Sequence, residues 1–306
     1  DVVLPIYISA SAETLGAAQL SLGTVAVGTG VGGAVDGLAM LFVTETGAAV
    51  ADTAGIADNV SPARRVALPM TDATFDSLTD AGKQLFVNAI RWAAGGGSPA
   101  PIVDLDASTL PEGPISSWAN AGTLGDTFTA AGDPEVKLVD QVKAVQLDGD
   151  GDWLVGPIAP DSVTGANPRT VDAWIHNFTV DPEESVFSWG RRGGPEGSNV
   201  AFTHGSHPTF GAVGHWGAPD IGWNGQEEPD IWTHIAYTQD GSETSVYVNG
   251  VLANSETIAV NTHTVADDGT TPLPFVVGNQ NEPNGTQSNA LLGSLSIAKL
   301  RVYAEA

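Results

Sequence analysis

Short segments in which apolar and polar residues alternate recur through the last two thirds of the chain, separated by turn residues. A period of two is typical of half-buried β-strands, and no segment from residue 107 to 306 keeps a helical period. Many short strands without intervening helices favour two packed sheets. We therefore predict an antiparallel β-sandwich (a jelly roll) whose strands include nine segments: 142–149, 169–178, 184–190, 199–205, 209–216, 232–239, 244–252, 274–280 and 292–304.

The clearest strand pair lies between residues 232 and 252. Alternating positions occupy both halves of this segment: Trp232, His234, Ala236, Val246 and Val248. Asp240-Gly241 between the halves is a dipeptide favoured in tight hairpin turns. The pattern predicts two strands that fold back on each other.

A different pattern precedes residue 95. Thr79 to Ala94 has apolar residues at helical spacing, and Gly95 suits a helix end. Apolar segments before this helix are interpreted as strands: VVLPIYIS (2–9), LGTVAVGTG (22–30), LAMLFVTETG (38–47) and RRVALPM (64–70). Since AAGGGSPAP (93–101) is typical of a linker, we predict a small α/β or α+β domain over 1–96, a Gly/Pro linker over 97–101 and the sandwich over 102–306.

Three segments of the predicted sandwich resemble the laminin G-like (concanavalin A-like lectin/glucanase) jelly roll. They are AVQLDGDGDWLVGP (144–157), TVDAWIHN (170–177) and WTHIAYTQDGSETSVYVNGVL (232–252). In that family the first enters the sandwich, the second is a central strand with an inward Trp, and the third is a hairpin. SLSIAKLRVY (294–303) fits the closing strand. The resemblance extends over nearly all of 102–306 and implies a fold that lectins, adhesion modules, enzymes and spacers share.

Residues 63–93, ARRVALPMTDATFDSLTDAGKQLFVNAIRWA, resemble the C-terminal end of ThuA-like domains, relatives of the class I glutamine amidotransferase fold. In those domains a strand, a short loop and a helix close the sheet. The front half of the family pattern is missing, and the chain has no cysteine to serve as the amidotransferase nucleophile. We interpret this region as a scaffold without catalysis.

Charge and composition restrict the partners. The net charge of −25 is unfavourable for binding a polyanion such as nucleic acid. The absence of cysteine excludes disulfides and thiolate sites. Because no run of about 18 apolar residues occurs, we expect no membrane insertion. Abundant Gly and Pro with few charged residues favour a secreted or cell-surface β protein, with its signal peptide absent from this chain.

SWGRRGGPEG (188–197) places Arg191 and Arg192 side by side in a chain with 11 basic and 36 acidic residues. Neighbouring side chains on a strand point to opposite faces, so the two guanidiniums are predicted to face different ways. One reading has an Arg joining two loops through a buried ion pair. The other has a guanidinium that binds a carboxylate or two sugar hydroxyls on a ligand.

GHWGAPDIGWNG (214–225) is a second candidate for ligand contact. Sugars pack on an aromatic ring while planar polar groups bind their hydroxyls, and this loop offers His215, Trp216, Asp220, Trp223 and Asn224. A packed loop would use the same residues. Branches of the laminin G-like family share SWGRRGGP together with GHWG.PD.GW, and this resemblance implies that the two loops meet.

Alternating aspartates offer hard oxygen ligands to calcium. Asp148, Asp150 and Asp152 occur in LDGDGDW, and Asp104 and Asp106 in VDLDAS. The first run departs from the EF-hand pattern because Trp153 and Ala159 occupy two of its key positions. The family resemblance implies a structural Ca²⁺, with an ordinary acidic turn as the alternative.

Catalysis is not expected. The E-x-D-x-x-E motif of the β-glucanases is absent. Glu183-Glu184 and Glu227-Glu228 are consecutive pairs beside prolines, so the side chains within each pair are expected to point apart. His204 and His207 are the only close histidine pair, and no hydrolase or nucleotide-binding motif occurs.

We therefore expect a secreted, non-catalytic carbohydrate-binding or adhesion protein whose partner is a glycan or a cell surface. The alternative is a self-assembling structural subunit of an extracellular filament or surface layer, in which the loops and segment 1–9 contact other copies. A polysaccharide-active enzyme ranks third.

Overall fold

A computed structural model describes residues 24–29, 39–44, 65–67, 89–90, 93 and 100–306 except 218 and 289. Contacts within the chain divide it into two units, Asp1–Pro99 and Ala100–Ala306. Among the residues described, no helix has the length and hydropathy to span a bilayer.

In the first unit three strands form an antiparallel sheet in the order β1-β2-β3. Their bounds are β1 Thr24–Thr29, β2 Ala39–Thr44 and β3 Arg65–Ala67. Each lies within a segment predicted as a strand, and Ala89, Ile90 and Ala93 are helical inside the predicted helix. The α/β or α+β class, the domain boundary and the ThuA-like resemblance stay predictions. Segment 1–9, on which self-assembly depends, lies outside the described residues.

The second unit is nearly all sheet. Its strands are β4 Val103–Asp106, β5 Gly113–Pro114, β6 Ser117–Ala119, β7 Thr127–Ala131, β8 Glu135–Val139, β9 Val142–Gln146, β10 Trp153–Ile158, β11 Arg169–Asn177, β12 Ser185–Gly190, β13 Asn199–Thr203, β14 Val213–Gly214, β15 Trp232–Gln239, β16 Glu243–Val248, β17 Val251–Thr257, β18 Pro274–Val277 and β19 Leu295–Tyr303. Short 3₁₀ turns occupy Ala107–Thr109 and Asp161–Val163. Each of the nine segments predicted as strands overlaps an observed strand.

Two antiparallel sheets form the predicted sandwich. The seven-stranded sheet has the order β14-β13-β12-β18-β10-β7-β6. The nine-stranded sheet has the order β17-β16-β15-β11-β19-β9-β8-β5, and β4 pairs with β19 beside β9. The C-terminal strand therefore lies in the middle of its sheet, joined to β11 along its whole length.

Alternation along the strands builds the core between the sheets. Val171, Ala173 and Ile175 of β11 are buried, as are Phe187 and Trp189 of β12. A buried aromatic side chain removes about 150–250 Å² from water, a gross gain of about 4–6 kcal/mol. Trp118, Phe128 and Phe275 are also fully buried, so aromatic residues supply much of the core.

Trp174 corrects one expectation. The family resemblance implied an inward Trp in this central strand, but Trp174 is 41% exposed. It alternates with the buried Ala173 and Ile175, so it lies on the outer face of the nine-stranded sheet. There its ring lies 5.3 Å from the His234 ring, on the neighbouring β15.

The predicted hairpin is present, with β15 and β16 paired from Ile235–Val248 to Gln239–Thr244. Its core face bears Thr233, Ile235 and Tyr237, whereas Trp232 and His234 lie on the other side. A second tight turn, Asn249-Gly250, joins β16 to β17. Both of its residues have positive φ, +50° and +78°, as a two-residue turn in a twisted hairpin requires.

Candidate functional site

The loop between β12 and β13 contains the two adjacent arginines, and Arg191 joins loops of the protein itself. Its Nε donates to Gly194 O at 3.1 Å and its guanidinium donates to Ala266 O at 3.3 Å. It also lies 3.2 Å from His263 Nδ1. Arg191 thus joins its own loop to the segment around Ala266 through backbone carbonyls, and a carboxylate partner is found for Arg192 instead.

Arg192 faces a different neighbour. Its guanidinium carbon lies 5.1 Å from the centre of the Trp216 ring, and one of its nitrogens lies 3.7 Å from Glu282 Oε2. Trp216 is 36% exposed. The two loops predicted to meet therefore do so, and we call Arg192, Trp216 and Glu282 the rim cluster.

His215, next to Trp216, is fully buried and takes part in a chain of hydrogen bonds. Its Nδ1 lies 2.8 Å from Pro219 O and its Nε2 3.0 Å from Tyr237 Oη, while Arg169 Nε donates to the same Oη at 3.1 Å. Since a carbonyl only accepts, Nδ1 carries the proton and Nε2 accepts from Tyr237. Burial, with Arg169 nearby, lowers the pKa of His215 to about 3. His215 thus holds the loop that bears Trp216 but is out of reach of a ligand at the surface.

Asp220 closes the same loop. Its Oδ1 accepts from the backbone N–H of His215 at 2.6 Å. Burial, together with the negative charges of Glu183 and Glu196, outweighs the hydrogen bonds that lower the pKa of Asp220 and raises it to about 6. This carboxyl is therefore partly protonated in mildly acidic solution.

Two buried amide side chains, Asn199 and Gln280, are hydrogen-bonded to each other next to the loops that bear Arg192 and Trp216. Asn199 Nδ2 donates to Gln280 Oε1 at 3.2 Å, and Gln280 Nε2 donates to Glu183 Oε1 at 2.8 Å. Backbone bonds join the segments of both amides to the loops, from Arg192 N to Asn281 O and from Asn199 N to His215 O. Sequence reasoning missed Gln280 and Glu282; the polar run Asn279–Glu282 directly after β18 was the available signal.

Trp223 and Asn224 do not join the rim cluster. Trp223 is 1% exposed and packs against Phe202 and His204, with ring centres 6.1 and 5.9 Å apart. Asn224 is exposed, and its Nδ2 donates at 3.3 Å to the carbonyl oxygen of Ala253, a residue of β17. Of the seven residues predicted to contact a ligand, Arg192, Trp216 and Asp220 lie in one surface region, with His215 beneath them.

The predicted aspartates fall into two separate groups. Asp104 and Asp106 pair with Lys299 at 3.7 and 3.2 Å. Burial raises the pKa of Asp106, but hydrogen bonds from Ser108 and Lys299 outweigh burial, so the pKa is lowered. A different trio could hold a metal ion: Asp133, Asp148 and Asp152 each place a carboxylate oxygen within 4.8 Å of the others. Asp150 is outside this trio, and its backbone N–H donates to Asp148.

The trio fits a hard cation. Oxygens on opposite sides of a calcium ion, each about 2.4 Å from it, are about 4.8 Å apart. Burial raises the pKa of Asp152, and the charges of Asp148 and Asp133 add to that rise, so a cation here would relieve repulsion. Asp152 also accepts backbone hydrogen bonds from Asp133 and Asp148, at 2.7 and 3.4 Å, which fixes its position.

Comparison with known proteins gave both sequence and structural matches. The laminin G-like family model of the concanavalin A-like lectin/glucanases superfamily matches residues 148–306. The comparison with curated proteins returned no match.

Three solved structures illustrate what the chain is similar to. Domain 4 of AbnA, a GH43 extracellular arabinanase from Geobacillus stearothermophilus in complex with arabinotriose, is 18% identical over 67% of this chain and 92% of that one, with a TM-score of 0.41. The botulinum neurotoxin serotype D binding domain is 10% identical over 67% and 48%, with a TM-score of 0.41. A Trypanosoma rangeli sialidase is 16% identical over 67% and 30%, also at 0.41. The match thus spans about half of the toxin domain and under a third of the sialidase.

The family model matches more than half of the residues of this chain. The chain therefore belongs to the concanavalin A-like lectin/glucanases superfamily.

Proposed function

We propose that this protein is a secreted, non-catalytic carbohydrate-binding or adhesion protein whose glycan partner contacts the rim cluster. One observation supports this most directly: the part-exposed indole of Trp216 lies against the guanidinium of Arg192. Sugars bind by packing C–H groups on an indole while planar forks and carboxylates bind their hydroxyls. Arg192 supplies the fork beside the ring, and Glu282, next to Arg192, supplies the carboxylate.

We infer no catalytic role for Asp220, because this carboxyl is used within the fold. Asp220 is the loop carboxyl whose pKa is raised toward neutrality, but its Oδ1 accepts the His215 backbone N–H. A general acid must reach the substrate with its own proton. We assign Asp220 the role of shaping the loop under Trp216.

Trp216→Ala is expected to weaken glycan binding about 10- to 30-fold, because it removes both the packing surface and the partner of Arg192. Binding is measured by a glycan array followed by affinity-gel retardation on the polysaccharide that the wild type retains. Trp174→Ala is the matched control, since it removes another exposed Trp from the outer face of the other sheet. Retention of full affinity by Trp216→Ala, or an equal loss in Trp174→Ala, would contradict the proposal.

The proposal includes a structural calcium ion held by Asp133, Asp148 and Asp152. Bound calcium would neutralise the three carboxylates and tie the turn after β7 to the turn before β10. For a Kd of about 0.1 mM, 1 mM calcium adds about 1.4 kcal/mol, a rise in Tm of about 2–4 °C. Calorimetry with and without chelator tests this. Asp148→Asn should abolish the rise, whereas Asp150→Asn should leave it intact, and a rise that survives in Asp148→Asn would place the ion elsewhere.

A further inference from the structure

Three asparagines of the chain precede a Ser or Thr by two residues, with no proline between: Asn59, Asn177 and Asn284. Asn-x-Ser/Thr is the sequence at which an oligosaccharyltransferase joins a glycan to the asparagine nitrogen. Because the attached glycan is bulky and solvated, the acceptor asparagine must also lie at the surface. Asn59 lies outside the described residues, so the structure separates Asn177 from Asn284.

Asn177 is used inside the fold. It is 1% exposed, and its Nδ2 donates to His204 O at 2.9 Å. Its Oδ1 accepts from the backbone N–H groups of Thr179 and Val180, at 3.2 and 3.0 Å. A glycan on this nitrogen would break the bond to His204 and would have to occupy packed space. Asn177 therefore fails as an acceptor in the folded protein.

Asn284 lies at the tip of a tight turn over residues 282–285. The Gly285 N–H donates to Glu282 O at 2.9 Å, and the Glu282 N–H donates to Thr286 O at 2.7 Å. Pro283 occupies the position before Asn284, which proline favours in such turns. Both Asn284 and Thr286 are exposed. The complete acceptor sequence is thus presented at the surface.

The amide of Asn284 is held by its oxygen. Its Oδ1 accepts from the Thr286 backbone N–H at 3.1 Å and from the Thr286 hydroxyl at 2.8 Å. Because these two groups donate, they bind the oxygen and not the nitrogen. The Asn284 Nδ2 has no acceptor among the residues that the structure describes. The nitrogen that would receive a sugar is therefore free.

The turn is fixed to its neighbours. The Asp267 N–H donates to Pro283 O at 2.8 Å, and the Arg192 N–H donates to Asn281 O at 3.2 Å. None of these bonds involves the Asn284 side chain. A change of that side chain should therefore leave the fold intact, which makes Asn284 open to a clean test.

We propose that Asn284 is an N-glycosylation site, with a lipid-linked oligosaccharide phosphate as the glycan donor. In the transfer, Nδ2 forms a bond to the anomeric carbon of the first sugar, and the bond from that carbon to the phosphate oxygen breaks. The phosphate leaves with the electron pair, and Nδ2 loses one proton. This inference rests on the proposed secretion of the chain, but it does not depend on glycan binding by the rim cluster.

Peptide mapping by mass spectrometry of the full chain from its native source tests the proposal. The peptide that contains Asn284 should carry a glycan, and the peptide that contains Asn177 should carry none. The same selectivity is expected when the folded, unmodified chain is treated with a purified oligosaccharyltransferase and its lipid-linked donor. Asn284→Gln should abolish transfer, and Thr286→Ala should reduce it at least about tenfold, whereas Thr286→Ser should retain it.

Asn249→Gln is the matched control, because Asn249 is another exposed asparagine that precedes glycine in a tight turn but has Val251 two residues later. It should change the extent of transfer by less than about twofold. An unmodified Asn284 in the native chain would overturn the proposal, as would transfer that survives in Asn284→Gln or that modifies Asn177 equally in the folded chain. None of these results would bear on glycan binding, which Trp216→Ala tests separately.

Discussion

Trp189→Ala is expected to cost about 3–5 kcal/mol of unfolding free energy, a large share of the stability of a typical domain. Trp189 is fully buried, and its Nε1 donates to Val163 O at 3.1 Å. Its ring meets Phe275 edge-on at 5.6 Å, and the guanidinium carbon of Arg169 lies 5.8 Å from its centre. Alanine would leave a cavity, an unpaired carbonyl and a buried cation without its aromatic face.

Urea unfolding followed by far-ultraviolet circular dichroism measures this loss in the full chain. Trp174→Ala is the matched control, since the same substitution at a 41% exposed position should cost no more than about 1 kcal/mol. If the two variants lost similar stability, the assignment of Trp189 to the core and Trp174 to the outer face would be wrong.

Acid is expected to destabilise the sandwich through two buried histidines. Burial lowers the pKa of His204 to about 4, and burial together with Arg169 lowers that of His215 to about 3. Both values lie below the 6.5 of an unfolded histidine, so the unfolded chain binds more protons in this window. The stability each histidine contributes is complete above pH 6.5 and is lost as the pH falls toward the folded pKa. Between pH 7 and pH 4.5 the unfolding free energy is expected to fall by about 2–3 kcal/mol for each of the two histidines.

The physical cause differs between the two. A protonated His215 would point an N–H at the Tyr237 hydroxyl that now donates to it, and would add a second cation near Arg169. Protonation of His204 would put a proton on Nδ1, which faces the donating Nδ2 of Asn177 at 3.3 Å, and its buried Nε2–H has no acceptor among the described residues. The loop that bears Trp216 depends on His215, so the proposed glycan binding should weaken together with stability at low pH.

Unfolding free energies at pH 7, 6, 5 and 4.5 measure the slope. His204→Gln and His215→Gln should each remove up to about 1.4 kcal/mol per pH unit from it. Because the raised pKa of Asp220 acts in the opposite direction, the test is the difference between each variant and the wild type. Repeating the series in 0.5 M NaCl separates burial from surface repulsion, which salt screens. Identical slopes in wild type and both variants would refute this account.

The alternation of apolar and polar residues predicted the sandwich from its longer strands, but it did not predict strands β4 to β8, which precede residue 142. β11 and β15 alternate over nine and eight residues, which gives a clear period of two, and β19 alternates on either side of an irregularity at Ala298. β5 and β6 have only two and three residues beside Gly and Pro, so no periodicity can show there. Such strands form because longer neighbours offer them hydrogen bonds, and that is a tertiary effect.

The candidate site was predictable only in part. The meeting of the Arg192 and Trp216 loops was implied by the family resemblance. Glu282 joins them from a segment that follows β18, and Asp133 joins Asp148 and Asp152 from the other side of a hairpin. His215 and Trp223 were candidates for ligand contact, with a packed loop as the alternative, and both are buried.

The pairing of β4 with β19 places the two ends of the second unit side by side. Ile102 N donates to Val302 O at 2.7 Å, and Val103 lies opposite Val302. Because the chain enters and leaves the unit at neighbouring positions, the unit can be inserted within a surface loop of a host protein, or repeated in tandem, with short linkers. A circularly permuted chain, with residues 306 and 100 joined by a short linker and new ends at the exposed Asp240-Gly241 turn, should therefore fold to the same sandwich.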